Sequence, residues 1–317
     1  MLFRSPERPQ CLAILGPTCA WKSEIALLIA EELNGEILSC DSMQVYQGLD
    51  VGTAKPTAEM RARCRHHFVD TLPLTAPWDT HRFVQAAQPL LAELPARGVI
   101  PILAGGTGLY ARALLYGFEM LPADRELFAR LEQELEMPGG KERLVHELRE
   151  GSADPREMPL DTARNPRRLA RAVEVLRLAG RPPWELLSDR PQEPIVPGHQ
   201  FILLPTMAVL KPRIVRRATW MLENGWIEEG EAALAAGLLE TPTAKQALGY
   251  REIAAYLAGE LADREALLHA LVGRTVKYAR RQRTWFRHQH PGAEILEIEE
   301  ATTAVALRDW ILARLGA

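Results

Sequence analysis

An apolar run, Cys11-Leu12-Ala13-Ile14-Leu15, stops at Gly16-Pro17-Thr18-Cys19-Ala20-Trp21-Lys22-Ser23 and gives way to a helical pattern over Ser23–Leu33. A buried strand, a tight loop and a helix opening on Lys-Ser form the arrangement that cradles phosphate. Backbone N–H groups and the helix N-terminus supply positive potential, Lys22 adds a mobile charge, and the Ser23 hydroxyl is placed to hold Mg²⁺. The loop departs from the usual Gly-x-x-x-x-Gly-Lys-Ser/Thr pattern at one position. Trp21 stands where a glycine lets the backbone approach the anion without a Cβ in the way. An indole at this point either turns away from the phosphate or obstructs it.

The rest of the chain reads as an α/β fold built around that loop. Glu36–Cys40, Val99–Ala104, Phe201–Leu204 and Glu294–Ile298 read as further strands, and helical patterns cover Thr57–Cys64, Thr80–Leu94 and Leu109–Leu115. Short apolar strands alternating with helices predict a parallel sheet with crossover helices. From about Gly117 to Pro197 strand signals vanish, and charged amphipathic helices occupy Ala123–Glu136, Lys141–Glu150 and Pro166–Leu178. The expected fold class is α/β: a phosphate-loop (P-loop NTPase-like) parallel sheet with flanking helices and an inserted small all-helical domain. The core takes residues 1–116 and 198–317, and the insert 117–197. The proline-rich Pro191–Gly198 leads back to the core. A long helical region follows, with Gly225, Gly230 and Gly237 as expected breaks, and Thr303–Leu315 forms a closing helix.

Charge distribution says more about partners than its sum. The net charge is −3 over 317 residues, yet Arg274 to His290 holds six Lys or Arg and no acid, and Arg164 to Arg181 holds six arginines against Glu174 alone. Two basic patches on a slightly acidic body localise a polyanion instead of attracting it everywhere. No apolar run reaches the roughly 18–20 residues needed to cross a membrane, and Met1 to Gln10 is polar, without a signal segment. Cys11, Cys19, Cys40 and Cys64 show no C-x-x-C spacing. These features predict a reduced, cytoplasmic protein without structural zinc.

Several segments, in their order along the chain, carry a more specific signal. Asp41-Ser42-Met43-Gln44-Val45-Tyr46 is followed by Gly52-Thr53-Ala54-Lys55-Pro56, then His66-His67, then Gly105-Gly106-Thr107-Gly108. Asn165-Pro166-Arg167-Arg168-Leu169, Gln246-Ala247-Leu248-Gly249-Tyr250-Arg251 and Arg280-Arg281-Gln282-Arg283-Thr284-Trp285 complete the series. With the phosphate loop, these segments resemble the tRNA dimethylallyltransferase (tRNA isopentenyltransferase) family across nearly the whole chain. The resemblance implies transfer of a dimethylallyl group from dimethylallyl diphosphate to N6 of the adenosine immediately 3′ of the anticodon. The products are N6-isopentenyladenosine and diphosphate; Mg²⁺ is the cofactor, and ATP is not required. It further implies a monomer acting on the anticodon stem-loop of tRNA, with no membrane role.

The residues fit that chemistry. Gly16, Pro17, Thr18, Cys19, Ala20, Trp21, Lys22 and Ser23 form the diphosphate loop, with Ser23 as the Mg²⁺ ligand. Thr107 adds a hydroxyl at the end of a neighbouring strand, and the family's channel arginine falls near Arg213 and Arg217, with Arg217 preferred. Asp41 aligns with the family's catalytic aspartate, as proton acceptor for the adenine amine or as a residue ordering the Mg²⁺ water shell. Residues resembling the tRNA-contact segments are Asp41, Ser42, Met43 and Gln44; Asn165, Pro166, Arg167, Arg168 and Leu169; and Gln246, Ala247, Leu248, Gly249, Tyr250 and Arg251. Lys277 and Arg281 join them from the basic helix. Adjacent His66 and His67 cannot share one face and receive no catalytic role. Three alternatives stay open: an adenine-nucleotide prenyltransferase, a phosphate-loop kinase, and a catalytically impaired tRNA-binding homologue whose site Trp21 fills.

Overall fold

The computed structural model describes residues 11–117, 121–186 and 193–316. Met1–Gln10 and the first residues of the Pro191–Gly198 linker fall outside them. The chain forms two compact units, Met1–Gly117 with Gln192–Ala317, and Phe118–Pro191.

The first unit is built on a six-stranded, all-parallel sheet of order β3-β2-β4-β1-β5-β6. Its strands are β1 (Cys11–Leu15), β2 (Gly35–Ser39), β3 (His66–His67), β4 (Ile100–Gly105), β5 (Gly198–Pro205) and β6 (Glu294–Ile298). β1 is central, with Ile14 paired to Ala104 on one side and Phe201 on the other. Both faces of the sheet are buried, which is why β1, β4 and most of β5 read as continuous apolar runs. Cys11, Ala13, Leu15, Leu38, Leu103 and Ile202 point to one face, under α3 (Thr80–Ala96), α4 (Gly108–Tyr116) and later helices. Leu12, Ile14, Ile102, Phe201 and Leu203 point to the other, under α1 (Lys22–Leu33) and the closing helix α13 (Ala304–Leu315). The remaining helices are α2 (Ala58–Arg63), α9 (Met207–Glu223), α10 (Trp226–Ala235), α11 (Tyr250–Leu257) and α12 (Arg264–His288).

Three local expectations change. β3 was not expected as a strand, because His-His carries no apolar run; it pairs with Ile37 and Leu38 at the sheet edge. α3 keeps Pro89 inside, as expected, but runs two residues further, past Pro95 to Ala96. Gly230 lies inside α10 and does not break it. A Cβ there would come within 2.7 Å of Ile253, so the glycine permits close packing of α10 on α11.

The second unit holds α5 (Arg125–Glu136), α6 (Gly140–Glu150), α7 (Pro166–Ala179) and α8 (Pro183–Leu186) around Leu131, Leu144, Leu148, Leu169 and Val173. Half of its arginine run is spent internally. Arg171 pairs with the buried Glu174 at 2.5 Å and donates to the Leu121 and Pro122 carbonyls. Arg177 forms a two-pronged pair with Glu147, and Arg168 pairs with Asp161. Three of the six arginines expected to form a free basic patch are thus neutralised within the unit's own fold.

Candidate active site

In an open parallel sheet, ligands bind beyond the carboxyl ends of the strands, and here three neighbouring strands deliver three loops to that edge. β1 runs into Gly16–Trp21, β2 into Asp41–Gln44, and β4 into Gly106–Thr107. α9, which follows β5, closes one side, and α12 packs on α9 through Leu210, Ile214 and Ala279. Together they line a partly open cavity of about 700 Å³. Lys22, Ser23, Asp41, Gln44, Arg217, Gln246 and Arg281 all line it, with Met43, Ile214, Met221 and Trp226 as apolar walls.

The phosphate loop is held in place from several directions. Gly16 passes so close to β5 that a Cβ would meet the Leu203 carbonyl oxygen at 2.3 Å. Gln282, buried on α12, accepts the Thr18 N–H at 2.9 Å and donates to the Gly106 carbonyl at 2.8 Å, joining the loops after β1 and β4. Arg217 donates to the Thr18 hydroxyl at 3.3 Å, and Lys22 donates to the Pro17 carbonyl at 2.6 Å. Desolvation, reinforced by the nearby Arg217 charge and partly opposed by Asp41, pulls the Lys22 ammonium down to about 8.

Trp21 is accommodated without a change in the loop's handedness. Its φ of +62° lies in the left-handed region that favours glycine, and Cys19, at +60°, is similarly strained. The indole lies beneath the Arg213 guanidinium, whose central carbon stands 3.3 Å from the ring centroid, and it packs in part on the apolar face of α1. Arg213 also donates to the Cys19 carbonyl at 3.5 Å. Replacing Trp21 by glycine removes backbone strain of about 1 kcal/mol and also a cation–π contact worth about 0.5–2 kcal/mol. Turnover of Trp21→Gly is therefore expected at or below that of the native chain. A hundredfold rise with tighter diphosphate binding, about 2.7 kcal/mol, would mean instead that the native indole obstructs the loop.

On the facing loop, Asp41 Oδ1 accepts the Met43 N–H at 2.9 Å, which orients the carboxylate and leaves its second oxygen available. Thr107 follows the end of β4, as expected. Its hydroxyl accepts the Ser42 N–H at 3.1 Å, which braces the Asp41 turn without using the hydroxyl's own proton. Tyr278 of α12 reaches the same space, its hydroxyl held above the ordinary phenol range by burial and by the negative charge of Asp41.

The other candidate contact residues divide by position. Gln246 and Leu248 reach the cavity, whereas Ala247 and Tyr250 are buried in the core. Asn165–Leu169 belong to the second unit, where Asn165 caps α7 by accepting the Arg168 N–H, and Leu169 is a core residue. On α12, Lys277 and Arg280 are exposed and form no ion pair among the described residues, and Arg281 stands 5.8 Å from the Tyr278 ring centroid. Arg274, by contrast, lies 3.7 Å from Glu252, and Arg287 pairs with Glu297. Gln282 and Arg213 both stood in segments singled out above, but neither the brace to Thr18 nor the stack on Trp21 is visible there.

No described group of three or more His, Cys, Asp or Glu side chains could cage a metal. The exposed Ser23 in the first turn of α1, beside the loop, instead suits Mg²⁺, which is commonly bound through few protein ligands with substrate phosphates and water completing the shell.

A parallel sheet whose first strand opens onto a lysine-serine loop, with a carboxylate on a neighbouring loop lining the same cavity, defines a phosphate-loop α/β protein. The IPP transferase model matches residues 44–289 and the isopentenyl transferase model residues 9–77, and the chain belongs to the IPP transferase family. The tRNA dimethylallyltransferase of Thermus thermophilus is 40% identical over 309 residues, covering 96% of this chain and 98% of that protein. That of Kocuria rhizophila is 39% identical over 283 residues, 89% of this chain and 88% of its own. The crystal structure of the full-length tRNA isopentenylpyrophosphate transferase from Bacillus halodurans superposes with a TM-score of 0.67 at 32% identity, covering 98% and 97% of the two chains. A eukaryotic dimethylallyltransferase shares the fold, with a TM-score of 0.77 at 22% identity. The chain is a prenyltransferase. No described helix is long and apolar enough to cross a membrane.

Proposed function

We propose that the chain transfers the dimethylallyl group of dimethylallyl diphosphate to N6 of the adenosine immediately 3′ of the anticodon in tRNA. The observation that carries this reading is one cavity with Lys22 and Ser23 on one wall, Asp41 on another, and apolar side chains around them. Lys22, Arg217 and the remaining loop N–H groups hold the diphosphate; the Thr18 N–H is already committed to Gln282. Ser23 would hold Mg²⁺, which when bound offsets the negative charge of the diphosphate.

Adenine N6 is a weak nucleophile, because its lone pair is delocalised into the ring. The Asp41 carboxylate orients the amine and accepts its proton as the new C–N bond forms, while the allylic C–O bond breaks and diphosphate leaves with that bond's electron pair. Met43, Ile214 and Met221 keep water from the allylic carbon. The base must leave its stack to enter, at a cost of a few kcal/mol, less in a single-stranded loop.

Incubation with labelled dimethylallyl diphosphate, Mg²⁺ and bulk tRNA, followed by nucleoside analysis, is expected to give N6-isopentenyladenosine. Label in free adenine nucleotides instead would favour the nucleotide prenyltransferase, and RNA binding without label the impaired homologue. The exposed charges of α12 are expected to engage RNA phosphates. Replacing Lys277 and Arg281 together by alanine should weaken tRNA binding and flatten its salt dependence by about one to two units of slope. Unchanged affinity and slope would make this helix an ordinary solvated surface.

A further inference from the structure

The turn from Asp50 to Ala54 forms part of the cavity wall through Gly52, Thr53 and Ala54. A single carboxylate holds it from behind. Glu229, on α10, accepts the Asp50 and Val51 N–H groups, each at 2.7 Å, and the Gly52 N–H at 2.9 Å. It also accepts the Tyr250 hydroxyl at 2.6 Å. Three successive N–H groups converging on one anion make a nest, and bonds to an ionised acceptor are the stronger kind. The turn needs such support, because Ala54 has a φ of +48°, left-handed for a residue with a Cβ.

The consequence reaches Gln44. The carbonyls of Thr53 and Ala54 each accept an N–H from Gln44 Nε2, both at 3.2 Å, and Gln44 Oε1 accepts the Ser39 hydroxyl at 2.8 Å. Carbonyl oxygens only accept, so the amide nitrogen must face them. Both Gln44 donors are thereby used, and the group retains one acceptor lone pair on its oxygen. Gln44 itself lines the cavity.

We infer that Glu229 is a positioning residue for the RNA substrate: by holding the 50–54 turn it fixes Gln44 as a hydrogen-bond acceptor, so this wall takes an N–H edge of a nucleobase. The inference rests on the tRNA-prenylating reading above. Glu229 does not line the cavity and makes no hydrogen bond to the phosphate loop, so its effect falls on the RNA side.

The test uses Glu229→Gln and Tyr250→Phe in the full chain, with KM measured separately for tRNA and dimethylallyl diphosphate, tRNA affinity by filter binding, and thermal unfolding. Glu229→Gln turns an amide NH₂ toward N–H groups that need an acceptor. It is expected to raise the tRNA KM and dissociation constant by at least about tenfold, with the diphosphate KM within about twofold of native. Tyr250→Phe removes one of the four bonds and is expected to shift the same two quantities by about two- to threefold. A tRNA KM and affinity unmoved in Glu229→Gln, or both KM values rising together, would overturn the assignment. If Glu229→Gln does not fold, Tyr250→Phe decides by the same split. A native chain without turnover on tRNA overturns the functional reading and this assignment with it. Native turnover with an unmoved tRNA KM overturns the Glu229 role alone.

Discussion

Asp41→Ala is expected to lower prenyl transfer by about 10²–10⁴-fold at saturating substrates, the range for loss of a positioned general base. tRNA binding should change little, because the contact surface offered by α12 and Gln246 is untouched. The size of the effect follows from the local geometry. The Met43 N–H fixes one carboxylate oxygen, and the Thr107 hydroxyl braces the same turn through the Ser42 N–H. Asp41→Asn is the sharper comparison, since it retains an oxygen for the Met43 N–H but cannot take up a proton. Turnover above about a tenth of native in either variant would assign the proton to another group.

Lys22→Ala is expected to cost about 3–4 kcal/mol, the range for truncating one partner of a desolvated charge pair, or roughly 10²–10³-fold in kcat/KM for dimethylallyl diphosphate. The pH profile offers an independent check. Because the free Lys22 ammonium is pulled down to about 8, the charged form that grips diphosphate predominates below that pH. kcat/KM should therefore fall as pH rises through about 8, and Lys22→Arg, which stays protonated, should lose that limb. A native profile flat to pH 9.5, about 1.5 units above the group's own value, would count against Lys22 as the charge that matters.

Those two residues were legible because local sequence carries them. Lys22 follows a strand-loop pattern, and Asp41 sits at the end of an apolar run within a specific motif. The sheet was legible for the same reason, since buried parallel strands must be continuously apolar. What escaped depends on chain segments meeting in space. The Gln282 bond to Thr18 joins residues 264 positions apart. The Arg213 stack that accommodates Trp21, and the Glu229 grip on three backbone N–H groups, likewise join distant segments. The arginines of α7 looked like a free basic patch because the sequence does not announce that Glu147, Asp161 and Glu174 will meet them. That the Thr107 hydroxyl braces the Ser42 N–H was likewise hidden, because the two become adjacent only when β2 pairs with β4.

The central place of β1 has a consequence for how the molecule is made. The first strand in the sequence gains its neighbours only when β4 and then β5 are available, and β5 ends at Pro205. During synthesis, therefore, an apolar strand waits with at least one open edge while some two hundred residues emerge, the kind of non-local closure that slows folding and invites unwanted pairing. The phosphate loop waits longer still, because its Gln282 brace comes from α12, 264 positions after Thr18. A ribosome-bound chain short of α12 thus carries the residues of the loop without the brace that holds them, and the phosphate loop is completed only after α12 has emerged.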